Sequence, residues 1–119
     1  MNTPPIILSI AGSDPSGGAG IQADIKTISA LGGYATTTIT AITVQNTQGV
    51  RTVEYLKPVL VRQQTEAVLS DMKPAAIKIG ITGTAGIVQA VATVLRHYPC
   101  RNVILDPVMV STSGPVSYT

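Results

Sequence analysis

Apolar residues Ile6, Ile7, Leu8 and Ile10 form a short run that gives way to Ala11-Gly12-Ser13 and then to a loop of Gly, Ser, Pro and Asp. The run reads as a strand, and the loop ends in Gly17, Gly18 and Gly20 before a helical pattern begins. Along that helix Ile21, Ile25, Ile28 and Leu31 recur on one stripe, the face expected to pack on a sheet. Gly32-Gly33 ends it. Residues 35–45 are rich in Thr, Ile and Val and predict a second strand, residues 46–49 a turn, and residues 50–56 a more exposed strand with one wet face. Pro58 suits the first turn of a helix reaching about Asp71, with Val61, Val68 and Met72 on one side, and Lys73-Pro74 stops it.

Residues 75–81 predict a short buried strand, followed by Thr82-Gly83-Thr84 and a helix carrying Ile87, Val91, Val94, Leu95 and Tyr98. Residues 102–105 predict another core strand ending at Asp106-Pro107, with Val108-Met109-Val110 and a loop over 111–114 beyond it. Strands alternating with helices imply an α/β fold with a mainly parallel sheet and right-handed crossovers. Ligands of such sheets gather at the C-terminal ends of strands. The residues expected there are Gly12-Ser13-Asp14, Val44-Gln45-Asn46, Gly80-Ile81 and Asp106-Pro107, all on one rim.

Composition narrows the field. In 119 residues with 45% hydrophobic content the chain has enough apolar mass for one domain core. A net charge of +2, 12% charged residues, no Lys/Arg cluster and four tyrosines as the sole aromatics give nucleic-acid binding little support. No apolar span is long enough to cross a membrane, and no signal-peptide pattern opens the chain. The single cysteine, Cys100, excludes an intrachain disulfide and suits a reducing cytoplasm. His97 falls at a helix C-terminal end without a second candidate ligand nearby, which argues against a metal role.

Several residues stand out against this pattern. The glycine loop before a helix offers N–H groups and a helix dipole to a polar or anionic small molecule. It is neither a Walker A loop, having no Gly-Lys-Ser/Thr, nor a full G-x-G-x-x-G fingerprint. Asp24 falls inside the apolar stripe of its helix, so it is either stabilised near the helix start or borders a ligand cavity. Gln45 either hydrogen-bonds a loop or reads a heterocycle edge, since an amide both donates and accepts. Asp106 either shapes a turn or acts near Mg²⁺ or phosphate. Lys78, inside an apolar strand, either snorkels to an edge or aims its ammonium at an anion near the rim.

Taken together, AGSDPSGGAGIQADIKT, ITVQNTQGV, IKIGI and ILDPVMVSTSG closely resemble the hydroxymethylpyrimidine/phosphomethylpyrimidine kinases of thiamin biosynthesis, part of the ribokinase-like family. The resemblance runs in order from about Ile6 to Gly114. It implies a ribokinase-like three-layer α/β/α fold and an ATP- and Mg²⁺-dependent kinase. The substrates it implies are 4-amino-5-hydroxymethyl-2-methylpyrimidine and its monophosphate. By the same resemblance Gln45 reads the pyrimidine edge, Asp24 faces the substrate's polar groups, Val44 walls the ring, and Asp106 is the acid near the transferring phosphate and Mg²⁺. Gly12 belongs to the same substrate rim, and Ile81 stands where the family usually has Met.

Family members run to roughly twice this length, and their second half carries a Gly-x-Gly-Cys or Gly-x-Gly-Asp segment that is absent from this sequence. The expectation is therefore a single incomplete domain over residues 1–119, the substrate-binding half, with no catalytic residue of that segment. Such a piece is expected to need a partner, either the missing half or a second copy in a homodimer. A pyridoxine-type kinase and a non-catalytic pyrimidine-binding module are the alternatives.

Overall fold

The computed structural model describes residues 3–80, 83–106, 110–111 and 114–115. Their elements in chain order are β1 (Ile6–Ser13), α1 (Gly20–Ala30), β2 (Tyr34–Asn46), β3 (Gly49–Tyr55), α2 (Pro58–Leu69), β4 (Ala76–Ile79), α3 (Ala85–His97), β5 (Val103–Leu105), β6 (Val110–Ser111) and β7 (Gly114–Pro115). The first five strands form one sheet in the order β3-β2-β1-β4-β5, parallel throughout except for the antiparallel edge hairpin of β2 with β3. β6 and β7 pair with each other, antiparallel. Ser111 and Gly114 fall in the stretch expected to form a loop, and Val108 and Met109 lie outside the described residues.

Alternation along β1 decides which face meets which helix. Leu8 and Ile10 are fully buried and join Ile77 of β4, Val61 and Leu69 of α2, and Ile87, Val91 and Val94 of α3 in one apolar cluster. Ser9, between them, points to the other face, where its hydroxyl meets α1. The sheet thus has α1 on one side and α2 with α3 on the other, a three-layer α/β/α arrangement. From β1 the chain winds outward to β2, then crosses back over β1 to β4 and on to β5. Right-handed crossovers in opposite directions demand helices on opposite faces, as found. The reversal leaves a topological switch point between β1 and β4.

Polar side chains do much of the edge work. β3 pairs with β2 only from Ala41 onward. Below that point Gln64 of α2 takes over, accepting from the Ile39 N–H and donating to its carbonyl, both at 2.9 Å. Inside the α2 interface Thr38 and Thr65 hydroxyls meet at 3.1 Å, and Thr65 also donates to the Val61 carbonyl. These bonds satisfy buried hydroxyls that would otherwise lose their hydration. Pro58 opens α2, and Thr84 caps α3 by accepting from the Ile87 N–H at 3.1 Å.

Three expectations change. In α1 only Ile21 of the predicted stripe is buried, and Leu31 is 83% exposed just past the helix end. The sheet beneath α1 carries Ser9 and Lys78, so a carboxylate shares the work of holding the helix down. The strand β3 is exposed on both faces from Arg51 to Tyr55. Finally, β5 is not a core strand: Val103, Ile104 and Leu105 are 43%, 57% and 63% exposed. It pairs with β4 on one edge alone among the described residues.

Candidate functional site

Parallel pairing puts the C-terminal ends of β1, β2, β4 and β5 on one edge of the sheet, so the expected rim exists. At its centre β1 ends in a register irregularity between Ala11 and Ser13, with Gly12 half-buried beside Ala41 of β2. The loop that follows is organised by Asp14, a buried residue. Its carboxylate accepts from the Ser16 hydroxyl at 2.6 Å and from the N–H groups of Ser16, Gly18 and Ala19 at 2.9, 3.1 and 2.9 Å. Gln22 of α1 locks the same loop, accepting from the Asp14 N–H and donating to the Ser13 hydroxyl.

The glycine loop is therefore not an open anion site. N–H groups at the entry to α1 that could have served a ligand are given to Asp14, whose negative charge also suits the helix dipole. The Ser16 hydroxyl bond holds the Asp14 carboxyl below its usual range; burial opposes this, and the three backbone N–H groups reinforce it. A depressed native value stabilises the fold above the unfolded value of 3.8 and loses that contribution as pH falls through the native one. Between pH 6 and about pH 2 the denaturation midpoint of the native protein should thus fall further than that of Asp14→Asn. Parallel midpoint curves would remove Asp14 from this role.

Lys78 gains a clear account. It sits on β4 opposite Ser9 of β1, on the α1 side, while Ile77 faces the main core. Its Nζ donates to both Asp24 oxygens, at 3.0 and 2.9 Å, and Ser9 donates to the same carboxylate at 2.6 Å. The same Nζ lies 3.7 Å from Oδ2 of Asp106, just past the tip of β5. Asp24 therefore lies past the first turn of α1, and its hydrogen-bond partners are Ser9 and Lys78 on the sheet. It reaches down to the sheet, and one ammonium draws Asp24 and Asp106 together across the switch point.

Gln45 stands apart from that cluster but on the same edge. Since Ser13 is level with Ile42, Gln45 rises about 10 Å beyond the tip of β1 on the β2–β3 hairpin. A register irregularity between Val44 and Gln45 re-aims the hairpin there. Gln45 donates to the Thr43 hydroxyl at 2.7 Å, and Thr43 donates to the Ser13 carbonyl at 2.8 Å, which ties the hairpin to β1. Val44 is exposed beside it. Gly80 is buried and donates to the Ile10 carbonyl. Ile81 lies outside the described residues.

No group of three or more His, Cys, Asp or Glu that could hold a metal occurs among the described residues. An open cavity of about 680 Å³ lies at the opposite end of the sheet, with Asp71, Pro74, His97 and Arg101 in its lining and none of the rim residues. Ligands of open α/β sheets gather at the strand C-termini, which makes the rim the candidate site.

The family profile described as phosphomethylpyrimidine kinase matches residues 14–117. The chain belongs to this family. It is 51% identical over 107 residues to hydroxymethylpyrimidine/phosphomethylpyrimidine kinase of Escherichia coli K12, covering 90% of this chain and 40% of that protein. Among solved structures, phosphomethylpyrimidine kinase of Clostridium difficile 630 superposes with a TM-score of 0.88 at 48% identity, covering 94% of this chain and 48% of the other. Pyridoxal kinase of Staphylococcus aureus in complex with pyridoxal gives 0.81 at 36% identity, covering 92% and 40%. These neighbours make the fold ribokinase-like. The chain spans less than half the length of these relatives. No helix among the described residues is long and apolar enough to cross a membrane.

Ser9, Gln22, Thr43 and Lys78 complete the rim; of these the sequence had offered only Lys78 a role there, as one of two alternatives. Ser9 and Lys78 carried a signal: each is a lone polar residue in an apolar strand, as Asp24 is on an apolar helix stripe. Buried charges seek one another.

Proposed function

We propose that this chain forms the substrate-binding part of an ATP-dependent kinase for 4-amino-5-hydroxymethyl-2-methylpyrimidine and its monophosphate. The observation that carries the reading is the meeting of Asp24, Lys78 and Asp106 at the switch point of a chain that belongs to the phosphomethylpyrimidine kinase family. Gln45 reads the ring edge: one N–H is given to Thr43, and the second N–H and Oε1 remain for the substrate. Val44 walls the ring, the backbone at Ile81 contacts it, Gly12 allows the backbone close to it, and Asp24 presents its anchored carboxylate to the substrate's polar groups.

Asp106, 60% exposed in its side chain, fits the one or two carboxylates that Mg²⁺ takes alongside phosphate oxygens and water. When bound there, Mg²⁺ would neutralise charge on the phosphates. The family's Gly-x-Gly-Cys/Asp segment does not occur in these 119 residues, so turnover is assigned to the completed fold, and the partner proposed for this stretch is the remaining half or a second copy. Its place is the cytoplasm, in keeping with the free Cys100. A pyridoxal-type kinase is the second reading, favoured by the likeness to the Staphylococcus aureus enzyme.

Calorimetry with the pyrimidine alcohol tests the assignment. Gln45→Ala should weaken binding by about 1–2 kcal/mol, the scale for losing a polar contact in a shielded site. Unchanged affinity would take Gln45 out of the site. Tighter binding of pyridoxal than of the pyrimidine would move the protein to the second reading. Binding without ATP turnover even when the remaining half of the fold is present would leave a pyrimidine-binding module.

A further inference from the structure

Lys78 is the charged group at the rim to which substrate binding gives no part. Its side chain is 26% exposed and that of Asp24 17%, so the pair is shielded from water but not sealed. The ammonium reaches up from mid-strand toward the sheet edge, lying 3.6 Å from where a side chain on Gly80 would begin. Of its three donors, two go to Asp24. The contact to Asp106 at 3.7 Å is an ion pair rather than a hydrogen bond.

Asp106 has little else to hold it. Its backbone N–H donates to the Ile79 carbonyl, which fixes the main chain at the tip of β5. Its carboxylate makes no hydrogen bond within the described residues, and Lys78 is the charge beside it. Asp24, anchored by Ser9 on the neighbouring strand, is a like charge on the other side of the same ammonium. Without the cation the two carboxylates would repel, and an exposed aspartate would turn outward among its rotamers.

We propose that Lys78 is a positioning residue: held by Asp24, which Ser9 anchors, it keeps the Asp106 carboxylate in one orientation facing the switch point. This rests on the reading of Asp106 as the acid beside the transferred phosphate, and it adds the device that aims it. The arrangement is a strut running from α1 through β4 to β5. Ser9 and Asp24 form its fixed end, and Asp106 is the group it carries.

The test compares Asp24→Asn with the double variant Asp24→Asn/Lys78→Met, because Lys78→Met alone would leave a shielded carboxylate unpaired and could fail to fold. The readout independent of activity is the set of three-bond couplings across the Asp106 Cα–Cβ bond. Couplings of a single rotamer in the native protein and averaged couplings in the double variant are the expected result. Lys78→Arg, which keeps the charge, should retain the single rotamer. In phosphotransfer assays with the remaining half of the fold present, the double variant should lose about a hundredfold in kcat relative to Asp24→Asn, with KM for the pyrimidine alcohol little changed, as misaiming a reacting group does. Asp106 couplings unaltered by removal of Lys78, or a loss confined to KM, would overturn the proposal. If the completed fold, with the remaining half present, transfers no phosphate to any substrate, the kinase reading fails, and the Asp106 couplings alone then decide the role of Lys78.

Discussion

Gly20→Ala should destabilise the protein by about 3 kcal/mol or more and open the loop that frames the rim. Gly20 has φ +62°, a conformation that costs an L-residue free energy by itself. An added Cβ would also strike the Gly12 carbonyl oxygen, with the Gly12 carbonyl carbon at 3.2 Å and the Asp14 nitrogen at 3.4 Å. All three obstacles are backbone atoms, so no side-chain rotation relieves them. They belong to the tip of β1 and to the residue whose carboxylate closes the loop. The damage therefore spreads to Gly12 and to the Asp14 cradle. Urea denaturation reads the effect; a midpoint within experimental error of the native protein would show that the loop does not close as described.

The second large effect lies in the core. Leu8→Ala should cost about 2–5 kcal/mol, the range for emptying a buried leucine site. Leu8 is fully buried, on a strand flanked by β2 and β4 and covered by α2 and α3. Ile104→Ala, at a residue 57% exposed on β5, should stay within about 0.5 kcal/mol. The sequence alone would rank the two strands as equals, since IIL at 6–8 and VIL at 103–105 look the same. Denaturation of both variants separates the readings. Equal losses would mean that β5 is covered.

That contrast shows where sequence reasoning reached its limit. The order of strands and helices was legible because period and punctuation coincide: Gly32-Gly33 ends α1, Pro58 starts α2, and Lys73-Pro74 separates α2 from β4. The common rim followed from parallel topology alone. What could not be read was which apolar strand is covered, because a strand's pattern is the same whether or not a neighbour lies over it. β5 is the case in point, and the exposed Leu31 of α1 is another.

The glycine loop misled for a different reason. Gly17, Gly18 and Gly20 mark an available helix entry, but Asp14, three residues before the first of them, supplies the anion internally. An acidic residue within such a loop is the feature that distinguishes a self-closed loop from a phosphate cradle. Lys78 was the residue most poorly served. Its partner on α1 lies 54 residues earlier, and neither residue reports the other until β1, β4 and α1 are stacked.

The central claim is that a flat pyrimidine alcohol binds at the strand tips around the β1–β4 switch point. Titration of the ¹⁵N-labelled protein with 4-amino-5-hydroxymethyl-2-methylpyrimidine, followed by amide chemical shifts, tests it most directly. Saturable shifts concentrated at Gly12, Ser13, Val44, Gln45, Gly80 and Asp106 are the predicted result. Saturable shifts around Asp71, His97 and Arg101 at the far end of the sheet, or none at any residue, would contradict it.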